Sequence, residues 1–150
     1  MKHELEKQKR GNLMLKNFVS NIKTRTSEEY IYIATTKCYA SQNNFKIGGC
    51  GSKAGLSKRL STYNTGRPQN DLYYFCKLFC VTNFIKVEDR IKDNLKDFKD
   101  TSEKEMYILH YDWICAFLEV ITENYNEEIT ILNDLIKNII KTLIDKTPVV

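Results

Sequence analysis

The sequence predicts an α+β fold: a small three-stranded, mainly antiparallel sheet flanked by helices, with an N-terminal helix and a C-terminal helical pair. Three observations carry that expectation. Short runs rich in aromatic and β-branched residues sit at 30–35, 45–48 and 71–81. Apolar stripes at helical spacing fill the second half, from Phe84 to Leu143. Glycines at 48, 49, 51 and 66, with Pro68, mark the joins.

Taken in order, residues 1–24 read as a polar helix whose apolar side appears late, at Leu15, Phe18, Val19 and Ile22. Tyr30–Thr35 reads as the first strand. Ser41-Gln42-Asn43-Asn44 turns the chain into Phe45–Gly48, making a hairpin with a long connection. The glycine cluster then interrupts regular structure before a helix near Ala54–Tyr63. Gly66 and Pro68 stop that helix. Asp71–Val81 is the third strand. Phe84, Val87, Ile91, Leu95 and Phe98 form one helical stripe with charges between. Glu105–Leu109 fits a short strand or a turn, and Ser102-x-x-Glu105 fits a capping box. Trp113, Ile114, Phe117, Leu118 and Ile121 mark the next helix. The stripe from Ile129 to Leu143 marks the last, with Asn126 as its expected cap. That stripe is expected to pack on the Trp113–Ile121 helix, with a homodimer through the C-terminal helix as the alternative.

A chain of 150 residues suits one domain with a real core. The net charge of +4 and pI of about 8.7 permit a polyanionic partner without demanding one. No apolar run reaches the ~20 residues that a bilayer span needs, so no membrane role is expected. The charged segment Lys2–Arg10 lacks a following signal-type apolar region. Five cysteines without a framework fit a reducing, cytoplasmic compartment. Cys76 and Cys80 would share a strand face with no finger-type spacing, so buried thiols are favoured over zinc. Heavy use of Lys, Ile and Asn hints at an A/T-rich genome.

Four side chains suit chemistry on a phosphodiester, which needs an activated water, charge stabilisation and help for the departing oxygen. Arg59 offers a permanently charged planar fork. Glu88 offers one carboxylate for Mg²⁺ or Mn²⁺, an ion that keeps several waters. Tyr32 is the candidate base, provided a cation lowers its pKa from about 10; Lys46 on the adjacent strand is that candidate cation. Each residue alone has a plainer reading. Tyr32 could be strand packing, Lys46 a solvated charge, Arg59 an exposed helix residue and Glu88 a favourable charge near a helix start. Lys53, Lys58, Arg67 and Lys37 would contact DNA phosphates, with RNA an open alternative.

The segment from about Glu29 to Leu109 resembles the GIY-YIG nuclease superfamily, in particular the branch of phages and large DNA viruses. The motifs carrying this are Tyr30-Ile31-Tyr32, Lys46-Ile47-Gly48, Arg59 within Lys58-Arg59-Leu60-Ser61-Thr62-Tyr63, Glu88, and Glu105-Met106-Tyr107. The motif's leading glycine is Tyr30 here, and its second tyrosine is Lys46. The resemblance implies a GIY-YIG-like nuclease domain over residues 28–110, after an N-terminal helical extension (1–27) and before a C-terminal helical pair (111–150). It further implies a viral, metal-dependent DNA endonuclease, in which Tyr32 activates water and Arg59 and Lys46 stabilise charge. Glu88 holds the metal, and Tyr63, where many members carry histidine, assists proton transfer or orients the scissile group. The alternatives are a catalytically inactive nucleic-acid-binding module of the same fold and a protein-interaction domain.

Overall fold

Strand β1 (Glu29–Thr35) lies inside the sheet, where Tyr30 to Ala34 have no exposed surface at all. A strand covered on both faces is apolar throughout, which is why this run does not alternate with polar residues. The computed structural model describes residues 28–146, so the predicted N-terminal helix lies outside the described residues. After β1 come α1 (Lys37–Ser41), β2 (Asn44–Cys50), α2 (Lys53–Tyr63), β3 (Tyr74–Val81) and α3 (Phe84–Asn94). A 3-10 turn (Lys96–Phe98), β4 (Met106–Ile108), α4 (Tyr111–Asn124) and α5 (Ile129–Lys146) complete the order. All pairings are antiparallel, and the strand order is β3-β1-β2-β4.

The α+β class is as expected, but the sheet has four strands rather than three. Met106–Ile108, read as either strand or turn, pairs with Asn44–Lys46. Three residues are too few to show a period. The connection between β1 and β2 holds the short helix α1, also unforeseen. Thr36 caps it by accepting the Tyr39 N–H at 3.1 Å. Asn43, at φ 57°, supplies the left-handed turn into β2.

Two cores form because successive β1 side chains point to opposite faces. Ile31 and Ile33 join Phe45, Ile47, Val87, Ile91, Phe117 and Leu118 under α3 and α4. Tyr30, Tyr32 and Ala34 join Leu56, Tyr73 and Leu78 under α2. The last stripe folds back as predicted, with Leu132 buried and Ile136 in the first core. Those two residues are thus used within the chain, leaving Ile129, Ile131 and Ile144 exposed.

Two expected caps are replaced. No helix starts at Ser102; its N–H and hydroxyl both donate to Asp100 Oδ1, and Glu105 takes φ 69° before β4. The cap that forms nearby is His110, whose Nδ1 accepts the Asp112 N–H at 3.1 Å. Helix α5 begins at Ile129, beyond Asn126, whose side chain accepts from Lys86 Nζ at 3.0 Å. Among the described residues no helix is long and apolar enough to cross a membrane.

Candidate active site

The edge of β2 beyond Ile47 is where the two faces of the sheet meet. Strand β4 covers β2 only at Asn44–Lys46, and the Ile47 N–H then donates to the Glu105 carbonyl at 3.0 Å. Gly48 and Gly49 follow, paired to Tyr32 and Ile31 on the inner side. The two glycines face opposite cores. A Cβ on Gly48 would lie 2.5 Å from the Tyr32 hydroxyl oxygen, and one on Gly49 would lie 2.7 Å from Glu88 Oε1. Bare backbone at both positions lets a tyrosine from one face and a carboxylate from the other close on the same edge.

Helix α2 supplies Arg59 and Tyr63 from the tyrosine face, and α3 supplies Glu88 from the isoleucine face. The side chains nevertheless share one electrostatic environment. The Arg59 guanidinium pKa is raised, chiefly by Tyr32, then by Tyr63, Glu105 and Glu88, while partial burial opposes the rise. Burial pushes the Glu88 pKa up; Lys92 and Arg59 pull it down, and Glu105 pushes it up further. Glu88 and Glu105 line one cavity of about 190 Å³ together with Ile47, Lys92 and Lys104. The sequence thus placed Arg59, Glu88, Tyr32, Lys46 and Tyr63 in a neighbourhood that the structure assembles.

Their arrangement differs from expectation in two respects. Tyr32 is wholly buried, and burial pushes its pKa up to about 12 rather than down, although its bond to Tyr63 and the Arg59 charge act the other way. Lys46 does not depress it. The Lys46 ammonium sits 4.4 Å from the Tyr63 ring centre and 5.3 Å from that of Tyr73, as a cation over aromatic faces. The second difference is a chain of hydroxyls. Tyr32 Oη lies 2.5 Å from Tyr63 Oη, and Tyr63 Oη donates to Glu105 Oε2 at 2.6 Å. Burial, followed by these two bonds, pushes the Tyr63 pKa strongly upward.

Glu105 is a functional candidate that the sequence offered only as the first residue of the Glu105-Met106-Tyr107 motif, with no role assigned. Its side-chain partner Tyr63 lies 42 positions away, and the available signal, an acidic residue before Met106-Tyr107, also fitted a cap.

Of the outlying cations, Lys53 and Lys58 are exposed on α2, and Lys37 is exposed at the start of α1. Arg67 is not a free phosphate contact. Its Nη2 pairs with Asp71 Oδ2 at 2.7 Å, its Nε and Nη2 reach the Asp71 carbonyl at 3.2 Å, and it stacks on Tyr39 and Tyr73. Asp71 in turn accepts from Thr36 Oγ1 and the Cys38 N–H, tying α1 to this loop. Arg67→Ala is therefore expected to cost about 1–3 kcal/mol of stability by denaturant unfolding. The salt slope of DNA binding should stay unchanged. A shallower slope at unchanged stability would reverse that assignment.

The residues present fit a divalent ion of the Mg²⁺ or Mn²⁺ kind. Among the described residues the half-buried Glu88 carboxylate has no hydrogen-bond or ion-pair partner, and no group of three His, Cys, Asp or Glu gathers to hold a metal. One or two oxygen ligands completed by water and phosphate suit Mg²⁺. A buried carboxylate without a partner is also costly, and a cation relieves that cost.

Comparison with known proteins corrects the family. The family model that matches is the T5orf172 domain, over residues 29–129. This overturns the resemblance to the GIY-YIG nuclease superfamily. That resemblance rested on short motifs and single residues, two of the motifs on strands where tyrosine and isoleucine are common in any case. Among similar proteins, the MSV199 domain-containing protein 420R of Invertebrate iridescent virus 6 is 40% identical over 87% of this chain and 29% of its own length. The Bro-N domain-containing protein 289L of the same virus is 34% identical over 81% of this chain and 29% of its own. The Bro-N domain-containing protein 019R of Invertebrate iridescent virus 3 is 36% identical over 73% of this chain and 26% of its own. This chain therefore spans less than a third of the length of these relatives. No solved structure matches.

Proposed function

This chain belongs to the T5orf172 domain family, and from the geometry at the β2 edge we propose that it hydrolyses DNA phosphodiester bonds with the help of a divalent metal ion. The observation carrying this reading is that a tyrosine from one face of the sheet and a carboxylate from the other, without a hydrogen-bond partner among the described residues, close on one glycine-lined edge, with the Arg59 guanidinium electrostatically coupled to both. T5orf172 domains are associated with nuclease-like and DNA-binding roles, which supports the same direction.

Arg59 would grip two phosphate oxygens with its fork, and its exposure leaves it open to a backbone passing along the edge. Lys46 adds positive charge beside Tyr63, and Lys53 and Lys58 extend the basic surface along α2. Glu88 would hold the ion, with Glu105 lining the same cavity. When bound, Mg²⁺ or Mn²⁺ supplies Lewis-acid stabilisation of charge on the phosphate and the departing oxygen.

The test is incubation of the purified protein with supercoiled and branched DNA, and with RNA in parallel, in Mg²⁺, Mn²⁺ or EDTA. Nicking that needs the metal is expected, and Arg59→Ala should slow it by about 10²–10³-fold. The absence of nicking under every metal condition overturns the enzyme. A second reading, a nucleic-acid-binding module without turnover, is favoured by one observation: the buried Tyr32 is not ionised near neutral pH. Salt-sensitive DNA binding without cleavage is its signature.

A further inference from the structure

The hydroxyl chain assigns a proton path, and we infer that Glu105 is the terminal proton acceptor of the site, reached through Tyr63, with Tyr32 as the residue that positions Tyr63. This inference rests on the hydrolytic reading. It follows from donor counting. A phenol has one proton to donate and two lone pairs to accept with. Tyr63 donates its proton to Glu105 Oε2 at 2.6 Å, so in its contact with Tyr32 it must be the acceptor. Tyr32 therefore donates to Tyr63, and one Tyr63 lone pair remains for a water.

Access separates the two tyrosines. Tyr32 has no exposed surface, whereas Tyr63 is partly open at the end of α2. A water beside the scissile phosphate can reach Tyr63 without any rearrangement of the core. The neighbours hold Tyr63 in place. Its ring packs 5.3 Å from Tyr73 and 6.1 Å from Tyr32, and the Lys46 ammonium lies over it. Glu105 is fixed as well. Its left-handed backbone and its carbonyl bond to the Ile47 N–H hold the carboxylate under Tyr63.

The step balances without an outside partner. As the water oxygen forms its bond to phosphorus, a water proton passes to Tyr63 Oη and the Tyr63 proton passes to the Glu105 carboxylate. The P–O bond to the sugar breaks, and the departing oxygen takes its proton from solvent. Tyr63 is a phenol before and after, so no tyrosinate has to persist. The strong upward displacement of its pKa is consistent with a concerted transfer.

The experiment measures cleavage of supercoiled DNA in saturating Mg²⁺ for wild type, Glu105→Gln, Tyr63→Phe and Tyr32→Phe. Gln keeps an acceptor for the Tyr63 hydroxyl but cannot take up the proton. Glu105→Gln and Tyr63→Phe should each lose about a hundredfold in kcat with KM little changed. Tyr32→Phe should lose only about tenfold, since a donor to Tyr63 orients it without receiving the proton. A second readout needs no turnover: the ¹³C shift of the Tyr63 ring carbon bearing the hydroxyl should move in Glu105→Gln, which replaces the carboxylate acceptor by an amide. Cleavage unchanged in Glu105→Gln overturns the relay alone. No cleavage by wild type overturns the hydrolytic reading and the relay with it, even where the Tyr63 shift responds to Glu105→Gln.

Discussion

Glu88→Gln is expected to slow DNA cleavage by about a thousandfold, equivalent to about 4 kcal/mol, while making the metal-free protein more stable. Both effects share one cause. Burial at the Gly49 edge raises the carboxyl's pKa in the folded chain, with Lys92 and Arg59 only partly compensating. A carboxyl raised on folding binds its proton more tightly in the native state than in the unfolded one. Its contribution is therefore most favourable below the unfolded value of about 4.3, declines as pH rises through the folded value, and is a full penalty at neutral pH. Gln has the same shape without the charge. Calorimetry of metal-free protein should show a fall in Tm through the carboxylate range for wild type, and a smaller fall for Glu88→Gln. Adding Mg²⁺ should raise the wild-type Tm by mass action and leave Glu88→Gln unmoved. DNA affinity without metal should not fall, because the lost charge repels phosphate. An equal Mg²⁺-induced shift in both proteins would remove Glu88 as the ion's ligand.

The legibility of this chain followed the length of each signal. Tyr30–Ile33 and the two C-terminal stripes each span a full period or more and became the elements expected, while the Phe84–Phe98 stripe became a helix as far as Asn94 and a 3-10 turn beyond it. Strand β4 and helix α1 have three and five residues, so only their partners define them: Asn44–Lys46 for one, Thr36 and Asp71 for the other. Arg59 and Glu88 could be picked out as residue types suited to phosphate and metal. What sequence could not show was that bare backbone at Gly48 and Gly49 lets Tyr32 from one face and Glu88 from the other close on the same edge. Arg67 looks available in the sequence as a cation in a loop, whereas the structure pairs it with Asp71. The visible clue was Asp71, four residues on, and with Pro68 between them it did not read as a helix pair. The burial of Tyr32 is hidden from the sequence for a related reason. A tyrosine flanked by isoleucines gives its strand but not its burial, and burial decides whether its hydroxyl can meet water.

Gly48→Ala is expected to destabilise the fold by about 1–3 kcal/mol, and thereby to lower Tm by roughly 3–10 °C. The added Cβ would lie 2.5 Å from the Tyr32 hydroxyl oxygen, 2.8 Å from Cζ and 3.3 Å from Cε1. Tyr32 cannot yield cheaply. Its ring is fully buried, 5.0 Å from Phe75 and 6.1 Å from Tyr63, and its hydroxyl is bonded to Tyr63. Overpacking therefore falls on the strand pairing or on the hydroxyl chain, and either outcome disturbs the site. Gly51→Ala is the matched control, since its Cβ would meet only the Phe84 ring, at 3.3 Å and beyond. It should cost well under 1 kcal/mol. Combining Gly48→Ala with Tyr32→Phe removes the nearest clashing atom but leaves Cζ at 2.8 Å. The double variant should thus recover part of the lost stability, with a coupling of about 0.5–1.5 kcal/mol between the two positions. Strictly additive effects, or a Gly48→Ala protein as stable as wild type, would mean that Tyr32 does not lie across β2 at this point, and the hydroxyl chain to Glu105 would lose its anchor.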